Sequence, residues 1–350
     1  MFESKNLLIN ENKTLYHALI KLSEISDLSK LILFVINDNN QIIGSVTDGD
    51  VRRTLIKEKN LKKKIGDICN RNFLFINDSD KYVSLKKIRK SNPSIKILPI
   101  LDKNGQLVRV IDLIKNNSLL PVECVIMAGG RGKRLSPLTD NIPKPMLMLG
   151  DKPIIEHNID RLIKFGVTKI YITLNYLGEQ IENYFGDGSK KGIEIIYVKE
   201  KENLGTAGAL SLINDINSKY LLLLNADLLT NVNFEEMYNC ITENHVDFVV
   251  ASKDYKINVP YAIFESEDFN IKSFKEKPTF VHYSNAGIYI FKRSLIKKIP
   301  KNKFFDITDL IIKLIENNYK LMHVPITGFW IDIGNPDQYK NAQEFVKHIN

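Results

Sequence analysis

Apolar and polar positions change their period regularly along this 350-residue chain. From residue 123 onward, short apolar runs alternate with stretches whose apolar positions recur every three to four residues. The runs at 124–128, 169–174, 193–198 and 220–225 predict strands, and the stretches at 153–165, 178–185 and 206–214 predict helices between them. Pro153 suits a first helical turn and Gly166 a helix stop. Further strands are expected near 247–251, 261–264, 284–291 and 320–325, with helices at 307–317 and 336–348. Such alternation predicts an α/β fold in Rossmann-like order, with a mainly parallel sheet covered on both faces.

The first 115 residues follow another pattern, an internal repeat. LILFVINDNNQIIGSVTDGDVRRTL (31–55) is echoed by IKILPILDKNGQLVRVIDLI (95–114). Each copy reads as a strand, a polar hairpin turn, a second strand and an aspartate opening a helix, and each follows a helical stretch, at 14–25 and 81–91. The polar connection NNSLLP (116–121) separates this pair from the strand–helix half, giving expected domains at 1–118 and 122–350.

The net charge of +8 sharpens that division. Residues 1–120 hold 21 Lys and Arg against 13 Asp and Glu, whereas residues 121–350 hold 28 of each. The basic half lacks zinc-finger, RRM or homeodomain patterns and interleaved aromatics, so nucleic acid is not the expected partner. Cys69, Cys124 and Cys240 are widely spaced and odd in number, which predicts reduced thiols rather than a disulfide framework or zinc site. No apolar run approaches the ~18 residues of a membrane span and the N-terminus has no signal-peptide pattern, so a cytoplasmic location is expected.

Candidate chemistry concentrates in VIMAGGRGKRLSPLTDNIPKPMLML (125–149). After a strand ending near Ala128, Gly129, Gly130 and Gly132 let backbone N–H groups turn toward an anion without a Cβ in the way. Arg131, Lys133, Arg134 and Lys144 add positive charge, and Pro143 and Pro145 stiffen the segment presenting Lys144. The loop suits phosphate, yet it matches neither G-x-x-x-x-G-K-[ST] nor G-x-G-x-x-G. Asp227 follows the apolar run LLLLNA, at a strand's carboxyl end, and Asp332 lies in GFWIDIGNP. Two carboxylates brought together from distant strands suit Mg²⁺. LGTAGAL (204–210) is expected to open a helix whose N–H groups approach a base or phosphate.

The 125–149 run closely resembles the signature of sugar-1-phosphate nucleotidyltransferases, roughly AGG-x-G-x-R-L-x-P-L-T followed by P-K-P. The resemblance implies that Ala128, Gly129, Gly130, Gly132, Gly205, Thr206 and Ala207 bind the nucleotide and that Asp227 and Asp332 hold Mg²⁺. It implies catalytic roles for Arg134 and Lys144. KEKP (275–278) and NAGIY (285–289) resemble the family's sugar-phosphate segments, which assigns Glu276, Lys277, Asn285 and Gly287 to that substrate. LGTAG is similar to the guanylyltransferase branch, so GTP is the expected nucleotide, with uridylyl transfer left open. Ala226 stands where the family usually has glycine.

In the N-terminal half, GSVTDGDVRR (44–53) resembles CBS domains, whose tandem pairs often bind adenine nucleotides. The resemblance places Thr47 and Asp50 on ribose and phosphate. In the second copy RVI (109–111) stands before Asp112, where threonine is expected. The whole arrangement resembles CBS-linked glucosamine-1-phosphate guanylyltransferases of legionaminic acid synthesis. Mannose-1-phosphate and heptose-1-phosphate guanylyl transfer remain open, as does a nucleotide-sensing protein without turnover. A homo-oligomer is expected, because both modules commonly associate.

Overall fold

The computed structural model describes residues 4–26, 31–80 and 82–348. In the first repeat β1 (Leu8–Asn10) runs parallel to β2 (Ile32–Ile36), which turns back antiparallel into β3 (Ile42–Thr47). In the second, β4 (Ile76–Asn77), β5 (Ile97–Leu101) and β6 (Leu107–Asp112) repeat that order. Both hairpins carry a register shift at the same step, between Val35 and Ile36 and between Ile100 and Leu101. Helices α1 (Leu15–Ser23) and α2 (Asp48–Glu58) accompany the first copy and α3 (Leu85–Ser91) the second. The expected 81–91 helix starts later, behind Ser84, and Lys81 lies outside the described residues.

The second copy differs from expectation at its end. The pairs Ile32–Thr47 and Ile97–Asp112 are equivalent, so Asp112 itself takes the place of Thr47. Its Oδ1 accepts from the N–H groups of Ile114 and Lys115 at 2.8 and 3.1 Å, capping a turn where a helix was expected. In the first copy Thr47 caps α2 by exchanging hydrogen bonds with Asp50, which also pairs with Arg53.

The chain divides into Met1–Leu120 and Pro121–Asn350. Among the described residues the second unit is built on a seven-stranded sheet. Its first half takes up β7 (Val122–Met127), a small hairpin of β8 (Met148–Leu149) and β9 (Lys152–Pro153), α4 (Ile154–Lys164), β10 (Lys169–Leu174), α5 (Gly178–Phe185) and β11 (Glu194–Lys199). There follow α6 (Gly205–Gly208), β12 (Tyr220–Asn225), β13 (Leu228–Thr230), α7 (Phe234–Glu243), β14 (Phe248–Asn258), β15 (Ile263–Glu267), β16 (Asn270–Lys275) and β17 (Thr279–Lys292). The last elements are α8 (Ile307–Glu316), β18 (Leu321–Pro325), β19 (Trp330–Asp332) and α9 (Pro336–Val346).

The order across the large sheet is β11-β10-β7-β12-β17-β14-β18, with β17 antiparallel to both neighbours and the other pairs parallel. After β7 the chain first adds strands on one side and then places β12 on the other. That reversal opens a crevice at the carboxyl ends of β7 and β12, where open α/β sheets bind ligands. Buried Val125, Leu221, Leu223, Phe248 and Phe291 fix the sheet against α8, whose Leu310 and Leu314 are fully covered.

Three sequence expectations shift. Pro153 caps α4 from outside rather than occupying its first turn. The helix expected at 206–214 shrinks to the four residues of α6 and a 3₁₀ turn. β14 and β17, 11 and 14 residues long, extend well beyond the sheet. Among the described residues no helix is long and apolar enough to cross a membrane, and the three cysteines are free.

Candidate active site

The glycine loop leaves β7 at the switch point, and its glycines answer to close neighbours. A Cβ on Gly129 would stand 2.7 Å from Glu200 Oε1, and one on Gly132 would stand 2.9 Å from Lys144 Cβ. Gly132 also has φ +63°, a left-handed conformation that side chains disfavour. Pro143 and Pro145 frame a 3₁₀ turn that carries Lys144 inward, leaving 14% of its side chain exposed. Arg134 is exposed and lines the cleft, whereas Arg131 stacks over Tyr176, outside the cleft lining.

The two candidate metal carboxylates meet through a short antiparallel pair. β13 follows Asp227 directly, and its Leu228 pairs with Asp332 on β19, while Ile333 N–H donates to Asp227 O at 3.1 Å. Lys144 Nζ donates to Asp227 Oδ2, whereas Asp227 Oδ1 is buried without a hydrogen-bond partner. Burial raises the Asp332 carboxyl above its ordinary range, and the neighbouring Asp227 charge adds to this, against the pull of Lys144 and Arg134. An orphaned carboxylate oxygen beside a second destabilised carboxylate is an arrangement that a cation relieves. Among the described residues no cluster of three or more metal-ligating side chains forms. The pair therefore fits Mg²⁺, which takes one or two carboxylates with the remaining positions left to water and phosphate.

Asn158, on α4, escaped the sequence analysis. Its buried amide donates to Leu228 O at 2.9 Å and reaches Ala226 O at 3.5 Å, clamping the backbone on both sides of Asp227. One turn on, the Arg161 guanidinium holds the Asn231 and Val232 carbonyls, and burial pushes its pKa down to about 10. Replacing Asn158 with leucine removes the amide donor from the Ala226 and Leu228 carbonyls and frees the Asp227 segment, and is expected to lower turnover roughly 10-fold or more. Steady-state kinetics beside thermal unfolding check this. Unchanged turnover in the folded variant contradicts the clamp.

A cleft of about 380 Å³ is lined by Ala128, Gly129, Gly130, Gly132, Arg134, Lys144, Glu200, Gly205, Thr206 and Asp227, whereas Asp332 lies behind Asp227 and does not line it. Glu200 also went unread in the sequence. Its Oε2 accepts from Leu204 N–H at 3.1 Å, Oε1 lies against Gly129, and burial raises its pKa. The expectation that the LGTAG turn offers free N–H groups is corrected. Thr206 N–H donates to Asp306 Oδ1 at 2.8 Å, and Ala207 and Gly208 N–H donate to Phe305 O at 3.0 and 2.9 Å. Gly205 and Thr206 still line the cleft, whereas Ala207 is buried behind them.

The sugar-phosphate candidates divide. Gly287 has φ +71° and packs against Asn225 in the cleft wall, so a Cβ there would stand 2.6 Å from Asn225 Nδ2. Asn285 Oδ1 accepts from Gly287 N–H at 2.9 Å, and Trp330 Nε1 donates to Ala286 O at 2.9 Å, tying this segment to the strand of Asp332. Glu276 and Lys277 sit exposed in the turn between β16 and β17 and do not line the cleft.

Known proteins agree with this architecture. The family described as nucleotidyl transferase matches residues 123–348, and the CBS domain family matches residues 3–57. Mannose-1-phosphate guanyltransferase beta-B of Xenopus laevis is 32% identical over 226 residues, 62% of each chain. Probable mannose-1-phosphate guanylyltransferase 1 of Oryza sativa subsp. japonica is 34% identical over 227 residues, 62% of this chain and 63% of its own. The chain thus spans less than two thirds of the length of these curated relatives. Among solved structures, a putative glucose-1-phosphate thymidylyltransferase from Bacillus anthracis superposes with TM-score 0.54 at 22% identity, over 65% of this chain and 96% of its own. HddC from Yersinia pseudotuberculosis, solved with GMP-PN, gives 0.50 at 23%, over 64% and 99%. At such identity these likenesses speak for the fold.

Proposed function

The chain belongs to the nucleotidyl transferase family, and on that premise we propose that its second unit transfers GMP from GTP to a hexose 1-phosphate, releasing pyrophosphate. The observation that carries the reading is the Asp227–Asp332 pair, with one buried oxygen unpartnered, facing Lys144 beneath the glycine loop. Asp227 and Asp332 are the residues that would hold Mg²⁺, whose chemistry there is neutralisation of phosphate charge.

The chain's own groups account for the rest. A sugar phosphate has a second pKa near ~6, so its oxygen is already a nucleophile at neutral pH and no general base is required. That oxygen forms a bond to the α-phosphorus of GTP as the bond to the bridging oxygen breaks, and pyrophosphate leaves with the electron pair. Lys144 and Arg134 stabilise charge on the transferring phosphate and the leaving group, and the glycine loop supplies backbone donors. Guanine is favoured by Glu200, whose carboxylate suits the adjacent N1–H and N2 amino donors of that base. The resemblance to the legionaminic acid branch speaks for glucosamine 1-phosphate as acceptor, and the curated relatives speak for mannose 1-phosphate.

Pyrophosphate release with Mg²⁺, crossing GTP, UTP, CTP, ATP and dTTP against glucosamine, N-acetylglucosamine, mannose and glucose 1-phosphates, tests the proposal and separates the acceptors. Release only in GTP rows is expected. Release only with another nucleotide overturns the guanine assignment, and silence from folded protein favours a nucleotide-sensing protein without turnover. The CBS unit is proposed to take an adenine nucleotide at Thr47 and Asp50, in competition with the bonds those side chains make to each other. AMP, ADP and ATP added to the same assay then change turnover or melting; no change in either contradicts this regulation.

A further inference from the structure

The segment leading into α8 lies against the LGTAG turn, backbone on backbone. Phe305 N–H donates to Leu204 O at 2.9 Å, and Phe305 O accepts from the N–H groups of Ala207 and Gly208. Two glycines permit that approach. A Cβ on Gly205, whose φ is +78°, would stand 2.9 Å from Phe305 O, and one on Gly208 would stand 2.8 Å from Lys303 O. Asp306 secures the far end, accepting from both the N–H and the hydroxyl of Thr206 at 2.8 and 2.9 Å.

These bonds give two adjacent phenylalanines different surroundings. Phe305 packs against the core formed by the large sheet and α8. Phe304 lines the cleft and stays 60% exposed, the one aromatic residue on that lining among the described residues. A lone exposed aromatic on an outer surface needs no explanation. One held on the wall of a cleft whose other residues are mainly glycine, polar or charged offers an apolar face that phosphate has no use for.

Leu204 relates that face to Glu200. Its carbonyl takes the Phe305 N–H, and its own N–H goes to Glu200 Oε2 at 3.1 Å. The acid and the aromatic segment are thus tied to one residue of the turn. Guanine offers an edge with N–H donors, which suits a carboxylate, and a π-face, which suits an aromatic ring. We propose that Phe304 is the stacking platform for the guanine of GTP, meeting the face of the base while Glu200 meets its edge. The inference rests on the guanylyl transfer proposed above, and it adds the residue that sets nucleotide affinity whichever base is bound.

Equilibrium binding of GTP and of inorganic tripolyphosphate to the full chain, with Mg²⁺ and without acceptor, tests this. Phe304→Ala is expected to weaken GTP binding about 10–100-fold and to leave tripolyphosphate within about 2-fold, because only a base is stacked. Phe304→Trp restores GTP affinity and adds an indole emission that GTP quenches. In turnover, Phe304→Ala raises KM for GTP and UTP by a similar factor, so the base preference assigned to Glu200 persists, whereas a structural defect lowers kcat as well. Unchanged GTP affinity in folded Phe304→Ala, or an equal loss of tripolyphosphate, overturns the stacking role and leaves guanylyl transfer standing. A parent chain that binds no GTP overturns both.

Discussion

Replacing Lys144 with methionine is expected to lower the rate of the proposed nucleotidyl transfer by about 10²–10³-fold and to leave the fold in place. Lys144 is the cation that contacts Asp227 and borders the phosphate cleft, and the proline-framed turn holds its stem. The substitution removes charge stabilisation where negative charge is transferred, while the buried stem is replaced by one of similar length. It also leaves two carboxylates facing each other with less compensation. Added Mg²⁺ is therefore expected to raise the melting temperature of the variant by more than that of the parent. Turnover and thermal unfolding with and without Mg²⁺ measure both consequences, and a folded variant with unimpaired turnover contradicts the role given to Lys144.

Glu200→Gln is expected to lower the preference for GTP over UTP by about 100-fold, through loss of a charge-assisted hydrogen bond and admission of a base that needs both a donor and an acceptor. One carboxylate oxygen is committed to Leu204 N–H, and the other faces the glycine loop in the cleft, so the side chain is fixed before a base arrives. The change is isosteric, which confines the effect to hydrogen bonding. Competing GTP against UTP and comparing kcat/KM gives the ratio directly. An unchanged ratio removes Glu200 from base selection.

The parts of the site legible in the sequence are those with local grammar. The glycine loop, Lys144 between two prolines, and an aspartate at the end of an apolar run declare themselves through spacing, and β10, α5 and β12 fall where apolar periodicity places them. Asn158 and Glu200 have no such grammar. Asn158 is a single polar residue on an amphipathic helix whose partners lie on and just before β13, and Glu200 is a single acid just beyond β11 whose nearness to Gly129 only the switch point creates. The LGTAG turn misled for a related reason. Its N–H groups look available until Phe305 and Asp306, a hundred positions downstream, arrive to accept them. The strands expected near 247–251 and 284–291 are shorter than β14 and β17 because the outer residues, KDYKIN (253–258) and TFVHYSN (279–285), mix polar with apolar positions and lack a continuous apolar run.

Direct guanylyl transfer to a sugar phosphate at the Asp227–Asp332–Lys144 site, as proposed, is tested by following the α-phosphorus of GTP. With α-labelled GTP, Mg²⁺ and the acceptor found in the substrate grid, label is expected to enter a nucleotide sugar, one molecule per pyrophosphate released, while acid-quenched protein carries none. Label recovered as free GMP, or bound to the protein, contradicts it.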